Sequence, residues 1–230
     1  MRIKSLLAYK ILREITHIIT DTLLNIYRLI RFIPERIKSI VVEHRYESRF
    51  GIETGAMTFQ AENTSLYKDD RRYSPTPYPI LKKMADYLKL NADDVFVDLG
   101  CGKGRVVFFM AAQKLKKVIG IELRKELADI ARENRSRLKL DNTAVEIVNA
   151  DVATFTIKDG TVFFMFNPFG QETVARVIAN IKASLTANPR RIRIVYYGPA
   201  HRGLLDSQDW LIFEGWIDDT RTFIWRNKQA

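Results

Sequence analysis

Two acids and three glycines in one short stretch are the residues best placed to bind a ligand. They are Asp98, Gly100, Gly102, Gly104 and Glu122, and the first four lie in the segment VDLGCGKGR. Glycine has no Cβ, so it lets a backbone turn tightly and approach a ligand closely. The pattern predicts a ligand held by bare main chain between two carboxylates.

The elements around these residues form a βαβ unit. Residues 95–97 are a short apolar run of the kind that makes a buried strand, and residues 118–121 are another. Between them, residues 105–115 have the apolar face of a helix. A strand, glycine turn, helix and second strand predict two parallel strands joined by a right-handed crossover. The start of that helix offers N–H donors and partial positive charge to a carboxylate or phosphate.

A cationic ligand suits these residues better than a dinucleotide does. The dinucleotide fingerprint has glycine at its first, third and sixth positions, whereas here the third glycine comes one residue early, at Gly104. Asp98 would repel a pyrophosphate but attract an ammonium and a sulfonium. Glu122 ends the second strand and can accept hydrogen bonds from both hydroxyls of a ribose. These demands fit S-adenosylmethionine.

The segment VDLGCGKGR resembles the nucleotide-loop motif of class I S-adenosylmethionine-dependent methyltransferases, and the similarity extends over about residues 70–226. The resemblance implies a doubly wound, mostly parallel α/β sheet of seven strands. It implies the cofactor-binding set Asp98, Gly100, Cys101, Gly102, Gly104, Glu122 and Asp151. Asp98 would lie at the methionine end, Glu122 at the ribose and Asp151 at the adenine. The alternative is a structural turn in another doubly wound domain.

The segment YSPTPY, from Tyr73 to Tyr78, precedes the glycine loop. It is similar to the entry segment of lysine methyltransferases that lack a SET domain, and to that of poorly characterised bacterial methyltransferases. This similarity implies a loop that closes over the methionine moiety, with Tyr73 and Thr76 in contact with the cofactor. Alternatively, the prolines only shape an extended connection.

The tetrapeptide Asn167-Pro168-Phe169-Gly170 follows the fourth expected strand, where ligands bind in open α/β sheets. It resembles the Asn-Pro-Pro-aromatic motif of amino-group methyltransferases. The resemblance implies that Asn167 and the next carbonyl, that of Pro168, align an acceptor nitrogen, while Phe169 walls it in. The missing second proline argues against a planar nucleobase or amide acceptor. Asn167 is alternatively a cap for the helix that begins near residue 171.

The first 50 residues predict an amphipathic helical extension. Apolar residues recur at helical spacing over residues 3–33, we expect that helix to end before Pro34, and a second helical stretch covers residues 37–50. Charged residues interrupt every window long enough to span a bilayer. The extension is expected to pack on the catalytic domain, form a homodimer or a coiled coil, or contact a membrane surface through residues 1–33. Residues 51–70 read as a linker or lid, and residues 71–230 as the methyltransferase domain.

The charge is unevenly distributed. The chain of 230 residues has a formal net charge of +10. Residues 71–230 hold 26 Lys and Arg against 18 Asp and Glu, a balance of +8. An acidic partner such as nucleic acid is therefore compatible with this half, although solvated helix faces explain most cations equally well. The single cysteine is compatible with a reducing cytoplasm, and the sequence lacks a His, Cys and acid cluster with metal-ligand spacing.

These observations predict an enzyme that N-methylates an amine. The amine belongs to a protein lysine, to another amino group of a protein or to a small molecule. The competing interpretation is a non-catalytic module that recruits RNA or a membrane. One histidine, His201, lies just past the fifth expected strand, where it could accept a proton or simply be exposed.

Overall fold

The computed structural model describes residues 2–55, 73–138, 143–166 and 169–228, and within the first helix the side chains of residues 13–28, 37 and 39–50. These residues form six helices and seven strands. In chain order they are α1 (Arg2–Phe50), α2 (Tyr78–Leu88), β1 (Val95–Leu99), α3 (Arg105–Ala111), β2 (Lys117–Glu122), α4 (Lys125–Arg137), β3 (Ala144–Asn149), β4 (Val162–Phe166), α5 (Gln171–Ala187), β5 (Arg193–Tyr197), α6 (Arg202–Asp206), β6 (Leu211–Ile217) and β7 (Thr222–Asn227).

The strands form one seven-stranded sheet with the order β3-β2-β1-β4-β5-β7-β6. The first five are parallel, whereas β7 is antiparallel to both β5 and β6. The predicted doubly wound, mostly parallel sheet with a closing hairpin is therefore confirmed. The order reverses between β1 and β4, so the crevice past the ends of these two strands is where such a sheet binds ligands.

Helices cover both faces of the sheet. On one face, alternate residues of β1, β4 and β5 meet the apolar side of α5 in a core that includes Val97, Phe163, Val177, Ile181 and Ile194. On the other face lies α3, whose residues are all buried. Gly120 of β2 makes room there, because a Cβ at this position would come within 2.8 Å of Val107 and of Cys101. Burial on both faces explains why the strands are nearly continuous apolar runs.

The expected end of the first helix before Pro34 is not observed. A single helix runs from Arg2 to Phe50 and passes through Pro34. Proline removes one backbone hydrogen bond and crowds the preceding turn. The helical periodicity on both sides of Pro34 outweighs this local cost, and Gly51, at a φ of +67°, follows the last helical residue.

The chain divides into two compact units, Met1–Arg45 and Tyr46–Ala230. The first unit is helical, and the second contains the sheet, the helices α2–α6 and the last turn of α1. Among the described residues, none of the helices has the length and apolar character needed to cross a bilayer.

Candidate functional site

The glycine loop between β1 and α3 is folded back over the end of β2. The N–H groups of Gly100 and Cys101 both donate to the carbonyl oxygen of Ile121, at 2.8 and 3.0 Å. Gly102 has a φ of +54°, and a Cβ there would lie 2.3 Å from the ring of Tyr73. Both the backbone conformation and the contact require glycine. The loop therefore presents bare main chain at the point where the sheet order reverses.

Asp98 is the most unusual group at this site. It lies within β1 and is 2 % exposed, and its Oδ2 has no hydrogen-bond partner among the described residues. Burial, and secondarily the nearby carboxylate of Glu122, raise its pKa well above the ordinary value. A buried polar atom without a partner is costly. The ammonium or sulfonium of a cationic ligand would remove that cost, so Asp98 fits the expected cofactor.

Glu122 supports the loop as well as facing the site. Its Oε2 accepts the N–H of Gly102 at 2.8 Å, and its Oε1 accepts the N–H of Arg124 at 2.9 Å. A carboxylate has about four acceptor positions, and ribose hydroxyls are donors that it can accept. The sequence suggested only the ligand contact. The role of Glu122 in fixing the glycine loop required the tertiary structure.

Asp151 lies at the same edge of the sheet as Glu122. In the register of the parallel strands β2 and β3, Glu122 pairs with Asn149, two residues before Asp151. Asp151 is exposed, and its Oδ1 accepts the N–H of Ala153 at 2.8 Å, which forms a turn. The N–H of Ala150 donates to the carbonyl oxygen of Glu122 at 3.0 Å. The structure thus brings Asp98, Glu122 and Asp151 to the ends of three adjacent strands.

Tyr73 lies against the glycine loop. Its ring covers Gly102, and its hydroxyl donates to the carbonyl oxygen of Thr54 at 2.8 Å. Burial raises the pKa of this hydroxyl, so it stays protonated as a donor. Thr76, the second residue predicted from the entry segment, is buried. Contact between the cofactor and either residue stays a prediction.

Cys101 has a packing role. Its Sγ would lie 2.8 Å from a Cβ on Gly120, so its small side chain fills the space between the loop and β2. Burial, followed by the charges of Asp98 and Glu122, raises the pKa of the thiol well above its ordinary value. A thiol that stays protonated is a poor nucleophile, in line with the interpretation of Cys101 as a small residue that fits the loop.

Residues 52–55, here called the strap, hold the glycine loop from the outside. Asn134 of α4, which is 1 % exposed, accepts the N–H of Glu53 and donates to the carbonyl oxygens of Glu53 and Lys103, each at 3.0–3.1 Å. Lys103 in turn donates through Nζ to the carbonyl oxygen of Gly55 at 2.9 Å. These bonds tie the first residues of the expected linker to the loop.

Arg105, the first residue of α3, anchors the strap from the other side. It is 2 % exposed, and its Nε donates to Oγ1 of Thr54 at 2.8 Å. Its Nη2 lies 3.2 Å from Oε1 of Glu47, and the guanidinium stacks 4.7 Å from the ring centroid of Tyr78. A cation at a helix N-terminus is unfavourable, and the carboxylate of Glu47 compensates for it. Sequence reasoning missed this network, since its members lie up to 58 residues apart.

The acceptor side of the sheet is aromatic. Phe166 and Tyr197 end β4 and β5, pair in register, and have ring centroids 4.3 Å apart. Burial raises the pKa of the Tyr197 hydroxyl. Phe169 packs against the core on the α5 side of the sheet. Asn167 and Pro168, the other residues predicted for this site, lie outside the described residues.

His201 is at the same edge, past β5. It is half-buried, and its Nε2 is buried without a hydrogen-bond partner among the described residues. The alternative of a simply exposed histidine is therefore wrong. The sequence placed His201 after the end of a strand, but this position did not predict that the side chain is half-buried.

Comparison with known proteins finds similar methyltransferases. A family model described as "Histone methylation protein DOT1" matches residues 55–145, which include the glycine loop and Glu122. Among solved structures, the putative methyltransferase yhhF of Escherichia coli aligns with a TM-score of 0.54, at 14% identity, over 70% of this chain and 92% of its own. This likeness shows that the chain has the fold of the class I methyltransferases. The cofactor of this class is S-adenosylmethionine.

The curated relatives that this chain matches have names that state different substrates. It is 33% identical over 146 residues to a histone-lysine N-methyltransferase, H3 lysine-79 specific, of Dictyostelium discoideum, and 33% identical over 95 residues to a protein-lysine N-methyltransferase of Saccharolobus islandicus. These matches cover 56% and 41% of this chain and only 8% and 58% of the relatives. An uncharacterized RNA methyltransferase of Protochlamydia amoebophila is 29% identical, over 53% of this chain and 26% of its own.

Proposed function

We propose that this chain is a class I methyltransferase, which transfers a methyl group from S-adenosylmethionine to the amine nitrogen of a protein lysine or of another amino group. The observation that carries the proposal is the buried Oδ2 of Asp98, which has no partner among the described residues and lies close to Glu122 at the glycine loop. Such a group is costly in the free protein and becomes favourable when a cation binds.

The cofactor would be held by residues from three strand ends. Asp98 binds the cationic methionine end, and the main chain of Gly100, Gly102 and Gly104 lies close to it. Glu122 accepts the ribose hydroxyls and Asp151 the adenine amino group. Tyr73 and Thr76 close the site from the entry segment, with Cys101 packed behind the loop.

The acceptor would lie between the ends of β4 and β5. When bound, S-adenosylmethionine would supply a methyl group from its sulfonium to an amine nitrogen, which would lose a proton, and S-adenosylhomocysteine would be the other product. Asn167 and the carbonyl of Pro168 accept hydrogen bonds from the amine and orient its lone pair. The rings of Phe166 and Tyr197 exclude water beside it. The enzyme then acts chiefly by positioning.

The amine must be neutral to attack. Aromatic surroundings and a neighbouring sulfonium both lower the pKa of an ammonium, which favours the neutral form. His201 lies at this edge with a buried Nε2 that has no partner among the described residues, so it is the residue that we assign to accept the released proton.

RNA is the second candidate acceptor, because RNA methyltransferases also occur among the relatives. Lysine is preferred for two reasons. First, the DOT1 model matches the cofactor half of the domain. Second, the segment Asn167-Pro168-Phe169 resembles the amino-group motif but lacks the second proline that is associated with planar acceptors.

Calorimetry and labelled transfer test the proposal. Purified full-length protein should release heat on binding both S-adenosylmethionine and S-adenosylhomocysteine. With the methyl-labelled cofactor and cell extract, label should appear in material that protease removes and RNase spares. Label that RNase removes would favour the second candidate. Cofactor binding without transfer to any fraction would instead support a non-catalytic module.

The role of Asn167 has its own test. Asn167→Ala should lower turnover by about 100-fold, as expected for loss of an orienting contact, while the affinity for S-adenosylhomocysteine stays within about twofold. Calorimetry and initial rates on the same preparation measure both. Full turnover in this variant would remove Asn167 from the acceptor site.

A further inference from the structure

The middle of α1 exposes far more apolar surface than a stable helix in water normally does. Ten large apolar side chains between residues 15 and 41 are 46–65 % exposed. They are Ile15, Ile18, Ile19, Leu23, Leu24, Ile26, Tyr27, Ile37, Ile40 and Val41. Single exposed apolar residues are ordinary, whereas many of them on one helix mark an interaction surface.

Most of these side chains lie on one side of the helix. At 100° per residue, eight of the ten fall within an arc of about 140°, with Leu24 and Tyr27 outside it. The eight are Ile15, Ile18, Ile19, Leu23, Ile26, Ile37, Ile40 and Val41, and they are called the apolar face below. The opposite side carries Arg13, His17, Thr20, Asp21 and Arg28, all exposed.

The charge of this unit is positive. Residues 1–45 contain nine Lys and Arg against four Asp and Glu, a balance of +5. Some of the polar side is paired internally, since Nδ1 of His17 lies 3.0 Å from Asp21. The excess of Lys and Arg would attract an anionic surface that the apolar face could enter.

We propose that the apolar face of α1 docks on an anionic lipid bilayer, with the helix lying in the plane of the headgroups. An amphipathic helix with one wide apolar side and a net positive charge is the type that binds bilayer interfaces. A two-stranded coiled coil instead needs a narrow stripe flanked by charged residues. Here Ile18 and Val41, at the two sides of the arc, widen the apolar face beyond such a stripe.

Vesicle co-sedimentation of the full-length protein tests this proposal. The comparison is between phosphatidylcholine vesicles that contain about 30% phosphatidylserine and vesicles of phosphatidylcholine alone, at physiological salt. The apolar-face variant is Ile19→Asp with Ile26→Asp. The matched control, Thr20→Asp with Asn25→Asp, adds the same charge outside the apolar face. Far-UV circular dichroism checks that both variants keep their helix.

Binding to anionic vesicles should be at least about tenfold tighter than to neutral ones and should weaken with salt. The apolar-face variant should lose at least about tenfold in affinity relative to the control variant. Absence of binding by the unmodified protein would overturn the proposal without reference to any variant. Equal binding by the two variants would also overturn it. So would a stable oligomer in sedimentation analysis that only the apolar-face variant dissociates, because a second copy would then cover the face.

Discussion

The two halves of the candidate site lie at the same edge of one sheet but differ in their side chains, which are charged in one half and aromatic in the other. At the ends of β1 and β2 lie the buried carboxylates of Asp98 and Glu122, and that of Glu122 accepts the N–H of Gly102 in the glycine loop. At the ends of β4 and β5, the rings of Phe166 and Tyr197 pack together. In the function that we propose, the first half binds a permanent cation, and the second binds a group that must lose its charge before it reacts.

The halves also differ in how firmly they are held. The glycine loop is fixed from within by Ile121 and Glu122 and from outside by the strap, whose bonds to Asn134 and Arg105 span α3 and α4. The described residues of the aromatic half are held mainly by ring packing and the sheet itself. We therefore expect cofactor affinity to depend on individual polar contacts, and turnover to depend on the shape of an apolar wall.

Gly102→Ala should have the largest effect and should act on the cofactor half alone. The new Cβ would meet the Tyr73 ring at 2.3 Å at a φ of +54°, so the loop must shift away from its binding conformation. Affinity for S-adenosylhomocysteine should fall at least about 100-fold by calorimetry. The control is Gly203→Ala, where a Cβ meets nothing within 4 Å, and it should bind normally. Normal binding by Gly102→Ala would contradict the placement of the ligand.

Asp98→Asn should weaken cofactor affinity by about 10- to 100-fold, because the charge that offsets the cation is removed. The pKa of Asp98 is raised in the folded protein, so the folded state keeps this proton to a higher pH than the unfolded state. The free energy of unfolding of the free enzyme should therefore fall as the pH rises from about 4 towards the raised pKa.

That part of the pH dependence should be missing from Asp98→Asn and retained in Asp209→Asn, which alters an exposed surface carboxylate. Binding of the cationic cofactor favours ionised Asp98, so affinity should rise with pH over the same window. Denaturant titrations and calorimetry across pH provide both curves. Identical curves for the wild type and Asp98→Asn would show that Asp98 is not the charged group of the site.

Asn134→Ala should have an intermediate effect, mainly on stability. It removes the partner of the buried carbonyl oxygen of Lys103 and of the part-buried N–H of Glu53, which costs about 1–3 kcal/mol in the free energy of unfolding. Cofactor affinity should fall by about fivefold to tenfold as the strap loosens. The exposed Asn188, which donates to the carbonyl oxygen of Lys158, provides a control, since Asn188→Ala should change stability by at most about 0.5 kcal/mol.

Phe166→Leu should have the smallest effect and should appear only on the acceptor side. It keeps an apolar side chain but removes the ring that packs on Tyr197. We expect kcat/KM for the acceptor to fall by about threefold to tenfold, with cofactor affinity within about twofold. A parallel loss of cofactor affinity would show that the two halves are not separable. Rates and calorimetry on one preparation distinguish the outcomes.

Much of the fold was readable from local patterns. The apolar runs at β1, β2, β4 and β5 and the glycines between β1 and α3 predicted the parallel sheet, because strands buried on both faces must be apolar throughout. Boundaries were less accurate: α3 ends at Ala111 rather than residue 115, and α6 was not anticipated. A short helix such as Arg202–Asp206 has too few residues for a periodic signal.

The sequence alone predicted the chemistry that we propose for the cofactor half, since a carboxylate before a glycine loop and another at the end of the next strand suit a cationic, ribose-containing ligand. Only the tertiary structure decided how that half is held. Arg105, Asn134 and Thr54 are distant in sequence and unremarkable as residue types, and their roles come from buried hydrogen bonds between different elements. The same holds for the wall of Phe166 and Tyr197, which exists because parallel pairing brings two strand ends together.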